Sequence, residues 1–142
     1  LSILDANKLG LQYVESLHEF WSLPDFIIIC CALTPDTSGI VNAAAFARMK
    51  PTCILINTSR GPVVDQDALY DALVSKKIRA AGLDVSSPEP MPPDHKLLTL
   101  DNFVMMPHIG SATIKSRNAM AELTVDNILA GLQGNPLPAP IP

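Results

Sequence analysis

Apolar residues in this chain come in short runs that stop at polar, glycine-rich or proline-rich segments. Phe26-Ile27-Ile28-Ile29-Cys30-Cys31 is continuously apolar and rich in β-branched side chains, as expected of a strand covered on both faces within a parallel sheet. Similar runs cover Cys53–Asn57, residues 80–85 and residues 102–106. They begin at positions 26, 53, 80 and 102, so successive starts are 27, 27 and 22 residues apart. Residues 1–5 read as a further short strand entered partway, and because Leu1 is not methionine, something is expected to precede it.

The intervals carry helical spacing. Asn7 to about Val14 reads as a helix, whereas Glu15 to Pro24 has its apolar residues at irregular spacing and receives no assignment. Asn42 to Met49 is alanine-rich, with Asn42 as its cap and Lys50-Pro51 as its stop. Asp65 caps the next helix, with Leu69, Ala72 and Leu73 on one face and Lys76 and Lys77 expected in its last turn, where positive charge suits the helix dipole. His95 to Leu100 reads as a short turn. The last helix starts at Ser111 or Thr113 and runs to about Leu132, with Met120, Leu123, Ile128 and Leu132 expected to face the sheet and Gly131 and Gly134 to end it. Strands alternating with helices or ordered turns predict βα crossovers and a parallel sheet with flanking helices, an α/β architecture of Rossmann-like type.

Composition narrows the partners. The chain has 142 residues, a formal charge of −4 and a pI near 5.2, with no basic cluster, so neither nucleic acid nor an anionic membrane surface is an expected partner. Its longest apolar run, Phe26 to Leu33, is far below the ~20 residues of a membrane-spanning helix, and no basic-then-apolar leader opens the sequence. The expectation is a cytoplasmic protein. Cys30, Cys31 and Cys53 lie inside apolar runs without metal-ligand spacing, so they read as small buried hydrophobes, with no metal and no disulfide.

Three of the strands run into loops that carry chemistry. Thr58-Ser59-Arg60-Gly61-Pro62 follows the second clear strand, Ser86-Ser87-Pro88-Glu89-Pro90 the third, and Pro107-His108-Ile109-Gly110-Ser111 the fourth. Open parallel sheets bind ligands beyond the carboxyl ends of their strands. An arginine, a glutamate and a histidine gathered there are able to bind an anion and move a proton. Proline fixes φ at four of the eight positions of residues 86–93, so Glu89 sits in a stiff loop. Taken singly, each of the three would read as a solvated surface group, as His18 and His95 do.

The runs Ile56-Asn57-Thr58-Ser59-Arg60-Gly61, Ala81-Gly82-Leu83-Asp84-Val85-Ser86-Ser87-Pro88-Glu89-Pro90 and Pro107-His108-Ile109-Gly110-Ser111-Ala112-Thr113 together resemble the D-isomer-specific 2-hydroxyacid dehydrogenases. The order matches, as do the intervals of 29 residues from Arg60 to Glu89 and 19 from Glu89 to His108. The resemblance covers about residues 10–138 and is greatest to the animal type of glyoxylate/hydroxypyruvate reductase. It implies NAD(P)H-dependent reduction of glyoxylate to glycolate and of hydroxypyruvate to D-glycerate. His108 would then be the acid/base, Glu89 the carboxylate that orients it, and Arg60 the clamp on the 2-oxo or 2-hydroxy acid.

Further site residues are carried over from the family in the same way. Ala32, Leu33, Thr58, Asp84 and Gly110 would approach the cofactor, NADP or NAD with NADPH favoured, while Asp84 and Ser111 would join Arg60 and His108 around the substrate. The resemblance also implies a homodimer. By the same resemblance, residues 1–134 form part of a NAD(P)-binding domain, its second half, and the Pro-rich tail 135–142 starts the return to the substrate domain. The Gly-x-Gly-x-x-Gly turn that cradles a pyrophosphate does not occur in the sequence. A non-catalytic fragment acting as an interaction module is the competing reading, and a dinucleotide-sensing corepressor of the same superfamily is a third.

Overall fold

Four parallel strands lie in the order in which they occur along the chain: β1 (Phe26–Ile29), β2 (Ile54–Asn57), β3 (Ala80–Leu83) and β4 (Phe103–Met105). This computed structural model describes residues 8–140. Register is continuous across the sheet, with Ile27 beside Leu55, Leu55 beside Ala81 and Ala81 beside Phe103. All four runs become strands, each a little shorter than its apolar run. The sequence expectation for residues 1–5 lies outside the described residues.

Between or before the strands lie the helices α1 (Leu17–Phe20), α2 (Ala43–Arg48) and α3 (Gln66–Val74). Both expected caps form. Asn42 accepts hydrogen bonds from the amides of Ala44 and Ala45, and Asp65 accepts from those of Asp67 and Ala68. Each satisfies donors that a helix leaves open at its start, an arrangement that stabilises by about 1 kcal/mol. Helix α3 stops at Val74 with Ser75 as its C-cap, so Lys76 and Lys77 lie beyond it rather than in its last turn. Lys76 itself takes a left-handed conformation, φ 54°, which ends the helix. Of the expected helix 7–14, Asn7 lies outside the described residues, Lys8 is helical, Leu9 and Gly10 form a turn, and residues 11–16 have no regular structure. The unassigned stretch 15–24 supplies α1, whose Phe20 meets the buried Trp21 edge to face at 5.4 Å.

Strand alternation sorts the sheet into two unlike faces. Ile27, Ile29, Leu55, Ala81, Leu83 and Phe103 are buried and join Phe46, Met49, Leu69 and Leu73 of the helical layer in one apolar cluster. The opposite face presents Phe26, Ile28 and Val104, each at least 60% exposed. The expectation that β1 is covered on both faces is therefore corrected: among the described residues only one face is covered. Cys53 is buried as expected, but Cys30 and Cys31 are exposed, because β1 ends at Ile29 and leaves them in the loop beyond it. All three thiols are free.

The chain divides into two compact units, Leu1–Pro107 and His108–Pro142. The second consists of α4 (Ile114–Leu132) with its flanking turns. Thr113 caps α4 by accepting from the Ser116 amide. Its end is a Schellman turn: Gly134, φ 72°, donates to the Gly131 carbonyl, and the Asn135 amide donates to that of Ala130. Gly131 is thus inside the helix and Gly134 alone ends it. The Asn127 carboxamide exchanges two hydrogen bonds with the Ala139 backbone, which ties the proline-rich tail to the helix. Contrary to expectation, Met120, Leu123, Ile128 and Leu132 are all exposed, and no residue of α4 is buried. The apolar stripe is present and exposed.

Where β1 and β2 begin, the Asp25 carboxylate accepts from Thr52 Oγ1 at 2.6 Å and Lys50 Nζ at 3.2 Å. The Thr52 hydrogen bond first, and then Lys50, hold this carboxyl below its ordinary value of 3.8. A depressed carboxylate contributes stability that is present above its unfolded value and lost as pH falls through the folded one. Asp25→Asn is therefore expected to lower the melting temperature at pH 7, with the deficit vanishing at pH values below the folded pKa; thermal unfolding followed by circular dichroism across pH 2 to 7 would measure it.

Candidate active site

The loops that carry the candidate residues of the first unit are built on Asn57. Alternation places the Asn57 side chain on the same face as Leu55, so a carboxamide ends up fully buried at the carboxyl end of β2. A buried amide must find partners, and Asn57 finds them in the next three residues. Its Oδ1 accepts from the Ser59 amide and Ser59 Oγ, both at 2.9 Å, and its Nδ2 donates to the Arg60 carbonyl at 2.9 Å. This closes residues 58–60 into a fixed turn. Arg60 itself is extended and exposed, and its Nη1 donates to the Ser59 carbonyl at 2.6 Å.

Gly61 brings this turn against the loop after β3. A Cβ on Gly61 would lie 2.0 Å from the Ser86 carbonyl oxygen and 2.8 Å from its Cα, so only glycine permits the approach. Ser86 is buried and its hydroxyl donates to the Pro88 carbonyl at 2.8 Å. Its amide donates to Glu89 Oε2 at 3.3 Å, which turns the glutamate back over its own loop. From the other side Gln66, the first residue of α3, grips the Ser87 peptide at both ends: Nε2 donates to its carbonyl at 2.8 Å and Oε1 accepts from its amide at 2.9 Å. The Ser87–Pro88 and Glu89–Pro90 peptide bonds are cis.

The structure thus brings the Arg60 turn and the Glu89 loop together. Asp84 is buried at the end of β3, its amide bonded to the Asn57 carbonyl. Cys30, Cys31, Leu33, Thr58 and Arg60 wall an open cleft of about 670 Å³ beyond the ends of β1 and β2, with Ala32 also on its rim. Among the described residues, Arg60 is the one charged residue in that lining. His108 opens the second unit, exposed and left-handed at φ 54°, a conformation in which histidine is enriched among non-glycine residues. Gly110 and Ser111 follow it and are exposed, and the Ala112 amide donates to the Ile109 carbonyl to close that turn.

His18 is exposed, as expected, whereas His95 is half-buried and caps the short 3₁₀ turn Lys96–Thr99 by accepting from the Leu97 amide through Nδ1. Among the described residues no group of three or more His, Cys, Asp or Glu side chains is placed to hold a metal, and no helix is long and apolar enough to cross a membrane. Asn57, Gly61, Gln66 and Ser86 shape the site and were not singled out from sequence. Asn57 alone carried a signal there: it is a polar residue at an inward position of an apolar strand.

Comparison with known proteins agrees with the fold. The family model described as D-isomer specific 2-hydroxyacid dehydrogenase, NAD binding domain, matches residues 2–110. The chain is 55% identical over 135 residues to the glyoxylate reductase/hydroxypyruvate reductase of Homo sapiens, covering 95% of this chain and 41% of that protein. To its counterpart in Mus musculus it is 57% identical over 115 residues, 81% of this chain and 35% of that one. The chain thus spans about two-fifths of the length of these curated relatives. Among solved structures, the NADPH-dependent glyoxylate/hydroxypyruvate reductase from Sinorhizobium meliloti, in complex with NADP and malonate, is similar with a TM-score of 0.88 and 36% identity. That match covers 93% of this chain and 41% of the other. The holo form of Rhodotorula graminis D-mandelate dehydrogenase gives a TM-score of 0.89 at 35% identity, over 99% of this chain and 41% of that one.

Two substitutions probe the packing of the loops. Gly61→Ala forces a methyl group into the Ser86 backbone and is expected to cost about 3 kcal/mol of stability, toward the upper end for overpacking, measured by urea unfolding. Gln66→Ala leaves the Ser87 peptide without its two partners and is expected to cost about 1–2 kcal/mol. The latter should also raise protease cleavage within residues 86–93 above that of the parent chain.

Proposed function

We propose that this chain, which belongs to the D-isomer-specific 2-hydroxyacid dehydrogenases, carries the catalytic residues of an NAD(P)H-dependent reductase of glyoxylate and hydroxypyruvate. The observation that supports it most is the packing of the Arg60 turn against the Ser86–Glu89 loop through Gly61, at the strand ends where open parallel sheets bind ligands. In this reading residues 1–134 are part of the NAD(P)-binding domain and residues 135–142 begin the return to the substrate domain.

The division of labour follows from the chemistry of each side chain. The Arg60 guanidinium presents a planar fork of donors, suited to the carboxylate and carbonyl of a 2-oxo acid. His108 gives a proton to the carbonyl oxygen as reduction proceeds. Glu89 is the carboxylate that orients the imidazole. Ser111 and Asp84 complete the substrate's surroundings.

The residues of the cleft suit a dinucleotide: Ala32, Leu33 and Thr58 are exposed beside the Arg60 cation; by the resemblance Asp84 and Gly110 serve the nicotinamide side. Bound NAD(P)H, with NADPH favoured, would supply the hydride. A homodimer and a cytoplasmic location accompany this reading, as the resemblance implies.

The test replaces the matching segment of the human reductase with this chain and follows NADPH oxidation with glyoxylate and with hydroxypyruvate. The chimera is expected to turn over both, His108→Ala to lose roughly 10²–10⁴-fold in kcat, and Arg60→Ala to lose kcat/KM with a raised KM. A folded chimera without turnover would overturn the reading. It would favour the non-catalytic module, for which the exposed sheet face of Phe26, Ile28 and Val104 offers a surface.

A further inference from the structure

The fold sorts the three cysteines into two classes. Cys53 is fully buried, and burial pushes its thiol up, away from the reactive thiolate. Cys30 and Cys31 lie past the last residue of β1, and both wall the cleft shared with Thr58 and Arg60. Cys30 Sγ lies 3.9 Å from Thr58 Oγ1, close enough for the hydroxyl to donate to the sulfur. The cleft volume, about 670 Å³, falls in the range of small-molecule sites. Among the described residues its only charged lining residue is Arg60, in a chain whose formal net charge is −4. Exposed thiols in an electropositive pocket are the ones that react.

We propose that Cys30 is a thiol-modification site that forms a mixed disulfide with anionic low-molecular-weight disulfides entering the cleft beside Arg60. The Cys30 thiolate attacks one sulfur of the incoming disulfide. A new sulfur–sulfur bond forms as the old one breaks, and the departing half leaves with the bonding pair and takes up the proton that Cys30 gave up. The disulfide is the oxidant, and a free thiol reverses the step. If the cleft takes the cofactor, as the proposed function holds, adduct and cofactor exclude each other and the modification is a reversible block on the enzyme.

The experiment treats the 142-residue chain with glutathione disulfide, or with the cationic disulfide cystamine, and maps adducts by mass spectrometry without reductant. One glutathione adduct is expected on Cys30, lost in Cys30→Ser and retained in Cys31→Ser, with Cys53 unmodified until the chain is denatured. Glutathione disulfide should react several-fold faster than cystamine at low salt, against the bias of the net negative charge. That preference should disappear in Arg60→Gln. No adduct, an adduct confined to Cys31, or faster reaction with cystamine would each overturn the proposal. In a parallel reaction NADPH should slow the adduct; unslowed formation would contradict the cofactor reading of the cleft and leave Cys30 standing as the modification site.

Discussion

The contact on which the rest of the site depends is backbone against backbone, Gly61 on Ser86. No side chain intervenes, and a methyl group at Gly61 would collide with the Ser86 carbonyl. Two loops that follow different strands are thereby locked at the shortest possible separation. Each is also held from within. Asn57 closes the Arg60 turn with three hydrogen bonds, and Gln66 holds the Ser87 peptide from the start of α3. A buried carboxamide left unsatisfied would cost about 1–3 kcal/mol, so the turn and the carboxamide stabilise one another.

The sheet beneath these loops contributes position. Parallel strands in register deliver their carboxyl ends to one edge, and the loops there differ in residue type while the strands beneath them are alike. The core cluster lies on one face only, between the sheet and helices α2 and α3. The other face and the apolar residues of α4 are left uncovered among the described residues. The chain spans about two-fifths of the length of the relatives it matches.

Features set by neighbouring residues were legible in the sequence. The apolar runs gave the four strands, and Asn42 and Asp65 announced their helices because a cap acts within three residues of itself. Features set by distant contacts were not. Nothing at Gln66 foretells a partner 21 residues away, and Gly61 reads as an ordinary loop glycine until Ser86 stands against it. The cysteines show the same limit: Cys30 and Cys31 extend an apolar run, but the sheet ends before them. The Lys76 and Lys77 expectation failed for a local reason, since Ser75 already caps α3. The stripe on α4 was read correctly as apolar, yet a stripe does not say what covers it. Of the catalytic candidates, Arg60 and Glu89 sit on loops that meet in the first unit, while His108 begins the second.

The central claim is that Glu89 acts through His108 rather than beside it, and a double-mutant cycle tests this most directly. In the chimeric reductase, kcat/KM for glyoxylate would be compared among the parent, Glu89→Gln, His108→Ala and the double variant. Residues that act as a unit are strongly non-additive. The account predicts that Glu89→Gln is damaging in the parent and nearly silent once His108 is gone. Losses that simply multiply in the double variant would contradict it.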